Sequence, residues 1–575
     1  MKLKTSFFNP SVLKKDLTRF APVWGLYCVF LLLLFLGTRL GNPVLAAADV
    51  TNNLRTLSWV NLIYAGIAAT MLFGDLFQTR LCNALHAMPL TRDGWFFNHA
   101  LAGLLFSLIP NLLATAVIAV VLGRFAVLAL AWLAVNLLCY LFFFGLATVS
   151  VMLAGNRLGM VAIYGVINGF SLLVYALVKE IYEPLLYGLE FVSEPYLFFC
   201  PVMYLAENRL MVFGFDYIND QWLNGRIEAV YPQVWIYLIV CGALGIALAW
   251  GALGLYRKRK LEAAGDFIAF RFLEPVFSVI YTLACGAFLH LMSESFGFST
   301  GYPLLGIGVL VGYFTGQMLI RRTVRVFRGK TFLRFAIFVL ALGASLLAAW
   351  TDPLGLTRYA PEADDVEFLR IYQDGDRYQY GIAEYPCYQL ETPEEIEAFR
   401  QVHLQLIQEK HTGDLYGNRM YVFYKLKSGR EVKRYYVIDA NTAAYDRLQI
   451  YFSDYRYLFN ANTWQQAVDQ ITDAELSVYD GDNYKSIRLT DPADIRLLLE
   501  AVRKDCDAGN LAQSPMFHPQ QEPVGWIYLT SILRREDGTI VDNGGMFQNV
   551  MVYPDAQYTP KALYELAEKY ESSLY

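Results

Sequence analysis

Nine apolar runs, near residues 21–38, 57–77, 101–123, 126–153, 159–178, 233–255, 275–293, 302–320 and 332–350, fill most of the first 350 positions. A helix that crosses the hydrocarbon of a bilayer needs about 20 mostly apolar residues, and each run is near that length. Within a membrane every backbone N–H and C=O must be paired inside the chain, which for segments of this kind leaves the α-helix. The runs therefore predict an α-helical polytopic membrane protein of about nine transmembrane helices. Composition agrees, with 56% of the 575 residues hydrophobic, 17% charged and a mean hydropathy of +0.33, too apolar for an ordinary soluble chain. The first run is not expected to be a cleaved signal peptide, since the residues ahead of it include Asp16 and no small-residue cleavage site closes it.

Charge separates two environments. Residues 1–350 carry 25 Lys+Arg against 16 Asp+Glu, whereas residues 351–575 carry 22 against 36. Basic residues mark the cytoplasmic loops of a membrane protein. Lys2, Lys4, Lys14, Lys15 and Arg19 precede the first run, Arg80 and Arg92 follow the second, and Arg157 follows the fourth. Arg257, Lys258, Arg259, Lys260 and Arg271 follow the sixth, and Arg321, Arg322, Arg325, Arg328 and Lys330 follow the eighth. The alternate loops are poor in both residues. The pattern places the N-terminus inside and everything after Trp350 outside. The loop 179–233 is then external too. Its two apolar pieces, broken by Pro184, Pro195 and Pro201, read as short helices dipping into the outer leaflet or as an amphipathic surface loop.

Several function classes are disfavoured. Ion-coupled carriers need ionisable groups at membrane depth, and no Asp, Glu, Lys or Arg stands in the middle of a run; Asp75, Lys179, Glu274 and His290 lie near the ends. Asn61, Asn111, Asn136, Asn168 and Gln317 are the polar mid-run residues and read as interhelical hydrogen bonds rather than substrate ligands. Arg328-Gly329-Lys330-Thr331 has the look of a phosphate-loop ending, but Val324 stands where that loop requires glycine. The six His include no HExxH, and the eight Cys show no zinc spacing. No catalytic, cofactor or metal site is expected, and no nucleic-acid partner. Cys200, Cys387 and Cys506 would be outside, where a disulfide is allowed but not required.

The loop Gln78–Ala100 reads as folded. Leu81, Ala84, Leu85 and Met88 recur on one face of a short helix, with Arg80, Asn83 and His86 off that face. Pro89 stops it. Thr91 then caps a second helix that carries Asp93 in its first turn. Such a loop either docks onto a cytoplasmic partner or lies on lipid headgroups.

Three stretches carry a resemblance: the N-terminus with Phe7-Phe8-Asn9 and Lys15-Asp16-Leu17-Thr18-Arg19-Phe20, the loop with His86-Ala87-Met88-Pro89-Leu90 and Arg92, and Glu262-Ala263-Ala264-Gly265-Asp266 after the sixth run. They resemble ABC-2 type ABC transporter permeases of Gram-positive, clostridia-like bacteria, in a subfamily with an extra C-terminal extracytoplasmic domain, which the portion from Thr351 on resembles. The resemblance implies a plasma-membrane permease, expected to export, that pairs with a separate ATPase subunit and a second permease protomer. It turns the 78–100 loop into a candidate ATPase-coupling element, with Arg80, Asn83, Leu85, His86, Pro89 and Arg92 as its candidate residues. A second candidate is Lys258–Phe272, where Gly265-Asp266 is expected to start the helix re-entering the membrane; a basic anchor on anionic headgroups is the other reading.

The expected organisation is a six-span core over 1–260, three further transmembrane helices over 261–350 and an α+β extracytoplasmic domain over 351–575. That domain reads as a tandem repeat, about 366–460 and 474–575, each copy running strand, strand, helix, hairpin. Thr392-Pro393 and Asp491-Pro492 open the two helices. Ser428-Gly429 and Asp537-Gly538 turn the hairpins, and a closing helix is expected near 560–571, with a weaker one near 442–451. Asp374-Gly375-Asp376 and Asp480-Gly481-Asp482 read as turns rather than calcium loops. Two functions are consistent with this sequence: the membrane subunit of an exporter, or a sensor whose outer domain binds a ligand or envelope component.

Overall fold

The computed structural model describes residues 8–36, 41–86, 91–189, 197–218, 221–293, 297, 301–373, 388–409, 418–438, 447–448, 451, 471–480, 483–489, 491–508, 524–531, 547–552, 554 and 556–571. The chain divides into two compact units, one of residues 1–181 and 192–343, the other of residues 182–191 and 344–575.

The first unit is helical. It comprises α1 (Pro10–Arg19), α2 (Ala21–Leu36), α3 (Pro43–Asn53), α4 (Leu57–Leu72), α5 (Thr79–His86), α6 (Arg92–Leu122), α7 (Val127–Leu153), α8 (Arg157–Tyr175), α9 (Pro201–Glu207), α10 (Pro232–Lys258), α11 (Glu274–Leu291), α12 (Tyr302–Arg321) and the larger part of α13 (Gly329–Thr351). Seven of these, α6, α7, α8, α10, α11, α12 and α13, are long and apolar enough to cross a membrane. The protein is thus a multi-pass membrane protein. The other two runs hold shorter helices. α1 and α2 form a pair bent by 58°, and α4 has 16 residues before the chain tightens into a 3₁₀ turn at Gly74–Phe77.

Three features depart from expectation. Residues 43–53 form the buried helix α3, opened by Asn42, whose side chain accepts from the Val44 N–H, and by Pro43 at the first turn. The loop 179–233 contains an antiparallel hairpin, β1 (Met211–Ile218) and β2 (Gln221–Val230), besides the short helix α9. Its first apolar piece gives a single 3₁₀ turn at Glu183–Leu185, not a longer helix. The helix expected to start at Gly265-Asp266 starts at Glu274 instead, because residues 264–270 form turns and bends that hydrogen-bond to the turn after α7.

Small residues set the packing of the long helices. A Cβ on Gly145 of α7 would overlap the Gly245 carbonyl of α10, and one on Gly245 would overlap the Leu141 carbonyl. The two backbones therefore meet directly, as small residues allow in membranes. Polar mid-helix groups are paired across helices. Asn61 of α4 donates to Asn136 of α7 at 2.9 Å, and Tyr27 of α2 donates to Asn61 at 3.1 Å. Asn111 of α6 joins through Tyr27 at 3.4 Å, and Gln317 of α12 donates to Ser278 of α11 at 3.0 Å. Asn168 bonds within its own helix, to the Tyr164 carbonyl.

The second unit holds two four-stranded antiparallel sheets. The first, in order β4-β3-β5-β6, uses β3 (Val366–Gln373), β4 (Tyr388–Leu390), β5 (Asn418–Leu426) and β6 (Glu431–Ile438). The second uses β7 (Ile471–Asp480), β8 (Asn483–Leu489), β9 (Gly525–Ser531) and β10 (Phe547–Val552), in order β8-β7-β9-β10. Both sheets follow one strand order, and each is covered by a helix: α14 (Pro393–Glu409) on the first, α15 (Pro492–Asp507) on the second. Thr392 caps α14, accepting from the Glu395 N–H and donating its hydroxyl to the Glu395 carboxylate, and Asp491 caps α15 through the Ala493 N–H. Ile396 and Phe399, like Ile495 and Leu498, are fully buried against their sheets. The closing helix α16 (Thr559–Glu571) is anchored by buried Asp505, which accepts from the N–H groups of Gln557, Tyr558 and Thr559 and from the Thr559 hydroxyl. The expected closing helix of the first copy, the Asp537-Gly538 turn and the central glycines of both Asp-Gly-Asp turns lie wholly or largely outside the described residues.

Residues 182–191 belong to this second unit although they follow α8 in the chain. Leu189 bridges to Arg434 of β6, the Gly188 carbonyl accepts from the Tyr435 N–H at 3.2 Å, and the Tyr187 ring sits 5.3 Å from that of Tyr436. Gly188 has φ +77°, and a Cβ there would meet the Tyr436 ring, so both its backbone and its contact require glycine.

Candidate functional site

The loops that follow α4, α7 and α10 knit together into one platform. Phe73 ends α4, the 3₁₀ turn reverses the chain, and α5 begins with the Cys82 N–H bonded to the Gln78 carbonyl at 2.8 Å. The Thr79 hydroxyl donates to the Ala264 carbonyl at 3.3 Å, which ties α5 to the segment beyond α10. Cys82 of α5 is 2% exposed, and burial raises its thiol pKa. Leu81, on the apolar face read from the sequence, is 39% exposed.

Arg259 organises this platform. It is 5% exposed, and its guanidinium donates to the Val151 carbonyl at 2.9 Å and the Leu76 carbonyl at 3.1 Å. One cation therefore neutralises the negative end of α7 and binds the turn leading into α5. Burial pulls its pKa down to about 10, so it remains charged at neutral pH. Around it the chain zips up: Ala154 bridges to Ile268, the Gly265 N–H donates to the Gly155 carbonyl at 2.7 Å, and the Ala269 N–H donates to the Leu153 carbonyl at 2.7 Å. Asn156 caps α8 through the Gly159 N–H at 2.7 Å.

α1 lies over the start of α6. The Asn9 N–H donates to Asn98 at 3.2 Å, and buried Asp16 faces His99 Nδ1 at 3.1 Å. At the same end of the helices Asp93 makes a two-point ion pair with Arg257, at 2.7 and 2.9 Å.

Comparison with protein-family models, curated proteins and solved structures finds no match. The assignment of roles therefore rests on geometry. Arg80 and Asn83 stand exposed on α5 and can meet a partner. Leu85 and His86 lie in the same helix, and Pro89 falls outside the described residues. Arg92 is half-buried; it donates to the Arg257 carbonyl at 3.2 Å with its guanidinium 6.0 Å from the Tyr256 ring, so it braces α6 against α10. The Thr91 cap forms as expected, accepting from the Gly94 N–H at 3.0 Å.

Sequence reasoning missed Arg259 and Asp16 as buried residues. Arg259 is one of four consecutive cations, and hydropathy cannot say which of them turns inward. For Asp16 a signal existed: it lies three residues after Leu13 and four before Phe20, both of which pack on the core.

Proposed function

We propose that this chain is the permease subunit of an ATP-driven ABC transporter, an exporter, working beside a second permease protomer and driven by a separate ATPase subunit. The observation that supports this reading best is Arg259. A push on the exposed face of α5 passes through the Leu76 carbonyl to the Arg259 guanidinium, and from there to α7 and α10. A loose loop would dissipate the same push. In this reading Arg80 and Asn83 touch the ATPase, Leu85 and His86 complete the helix, Pro89 ends it, and Arg92 holds the platform. The platform is cytoplasmic and the unit beyond α13 extracytoplasmic, with nine crossings once the bent pair α1–α2 and α4 are each counted as one.

Purified from its own membrane, the full chain is expected to bring an ATP-hydrolysing subunit with it. Arg80→Glu and Leu85→Gly are expected to lose that subunit while the abundance of the chain is kept. ATP hydrolysis by the lone chain, or unchanged capture in both variants, would overturn the reading. A membrane-impermeant thiol reagent on intact cells is expected to label a Cys at exposed Ser428 and to miss one at exposed Lys260; the reverse labelling refutes the topology.

A second reading, a sensor, is favoured by one observation. Gly188 and Leu189 pair onto β6, with Tyr187 packed on Tyr436, so displacement of that sheet edge by a ligand is carried along the chain toward α8. Binding of an envelope component by the full chain, with no ATPase captured, would select it.

A further inference from the structure

A groove of about 450 Å³ opens on the flank of α6, α7 and α10. Phe97 and Leu104 of α6, Leu141 and Phe144 of α7, and Ile246 and Trp250 of α10 line it, with Phe8 at one end. All of its lining residues are apolar or glycine. Gly145 and Gly245 form its floor, because their lack of side chains brings two backbones together and leaves a trough beside them. All three helices are long apolar spans, so the open side of the trough faces hydrocarbon. Hydrocarbon is therefore what fills it.

The groove also has a charged end. Arg92 stands one turn before Phe96 and Phe97 on α6, and Arg257 and Lys258 stand two turns beyond Trp250 on the same side of α10. Asp93 is taken up by Arg257, which leaves Arg92 and Lys258, with Lys260 just beyond, as an excess of positive charge. An apolar trough capped by cations matches an amphiphile with a negative head. We propose that the groove is a binding site for an anionic phospholipid, one acyl chain lying along Phe97, Leu104 and Ile246 and the phosphate held at Arg92 and Lys258. The proposal needs the three helices to be in the membrane and does not depend on an ATPase partner.

Trp250 is exposed and lines the groove, so it reports directly. The full chain is reconstituted in vesicles containing increasing fractions of phosphatidylglycerol or phosphatidylcholine brominated on the acyl chain. Emission lost in the native protein but not in Trp250→Phe is the Trp250 signal. Brominated phosphatidylglycerol is expected to reach half-quenching at a mole fraction about fivefold lower than brominated phosphatidylcholine, roughly the factor one surface cation contributes. Lys258→Gln, an exposed position, is expected to remove most of that preference without changing the yield of folded protein. Equal quenching by the two lipids would reduce the groove to ordinary annular contact and overturn the proposal. So would a Trp250 silent to both lipids in a particle of dimer size, because a second copy would then fill the trough.

Discussion

α7 and α14 both bury large side chains, yet they do so against opposite surroundings. α7 is apolar on every side, and what distinguishes its packed faces is glycine and asparagine: Gly145 meets Gly245, and Asn136 meets Asn61. α14 shows the reverse arrangement, with Ile396, Phe399, Val402 and Leu406 inward and Glu394, Glu395 and Gln401 outward. In water, apolar area marks the buried face because its removal from solvent drives folding. In lipid that contrast vanishes, and close backbone approach and polar pairing mark the face instead. The same sequence alphabet therefore carries opposite meanings in the two units, and substitutions that are mild in one should be severe in the other.

Adding volume at a glycine contact gives the largest expected effect. Gly245→Leu forces a side chain into the Leu141 carbonyl, and neither backbone has room to yield. Size-exclusion chromatography is expected to show little or no monodisperse protein. Gly251→Leu, at a position of the same helix where an added Cβ meets nothing within 4 Å, adds the same bulk and is expected to be silent. Wild-type yield from Gly245→Leu would break the contrast, since the α7–α10 contact would then tolerate what the geometry forbids.

Placing a charge in the aqueous-type core comes second. Ile396→Asp and Ile495→Asp each bury a carboxylate without a partner, at a cost of several kcal/mol. Hydrogen exchange on the full chain is expected to accelerate in β3, β5 and β6 for the first variant and in β7, β8 and β9 for the second. Each variant is expected to spare the other sheet, because the two cores are separate clusters.

These two tests also mark what the sequence made legible. Ile396 and Ile495 were readable as core because a 3.6-residue period stands out when the other face is polar. The repeat was readable from Thr392-Pro393 and Asp491-Pro492, which open helices at equivalent places. In the membrane unit the runs located helices well but not their faces, and α3 and the β1–β2 hairpin left no signal as strong as a span. The candidate coupling helix was legible as a helix. The burial of Cys82 was not, because the segment that α5 packs on is far away in sequence, as the bond from the Thr79 hydroxyl to the Ala264 carbonyl shows.

Acid sharpens the comparison at intermediate size. His403 of α14 is buried between the hydroxyls of Tyr424 and Tyr436, at 2.7 and 2.6 Å, one ring nitrogen donating and the other accepting. Burial holds its pKa down at about 3, against about 6.5 in an unfolded chain. The native histidine stays neutral while the unfolded one takes up a proton below pH 6.5. The unfolded state then binds more protons, so stability is constant above that pH and falls as pH drops toward 3. The slope is about 1.4 kcal/mol per pH unit. Hydrogen exchange in β5 and β6, corrected for its intrinsic pH dependence, is expected to rise between pH 6.5 and 5 and to rise less in His403→Gln. An identical rise in both would assign the acid sensitivity to other groups.

The smallest effect belongs to the polar pair inside the membrane unit, and it is the most discriminating. Asn61 and Asn136 are both fully buried and share a 2.9 Å hydrogen bond, with the Tyr27 hydroxyl closing the group. Intuition from water says that a buried amide pair surrounded by hydrocarbon is worth a great deal. Interhelical hydrogen bonds in membranes contribute only about 0.6 kcal/mol on average, and about 1.7 at most, because the separated helices find other partners. Here those partners are visible: Asn61 also donates to the Leu57 carbonyl at 2.9 Å and Asn136 to the Trp132 carbonyl at 3.1 Å, each one turn back in its own helix. Asn61→Leu, Asn136→Leu and the double variant, unfolded reversibly in bicelles, are expected to give a coupling energy of about 0.6 kcal/mol. A coupling of 3 kcal/mol or more (roughly the cost of a buried ion-pair partner lost in a soluble core) would mean that amides without rivals hold these helices. The contrast between the units would then lie in their apolar packing alone.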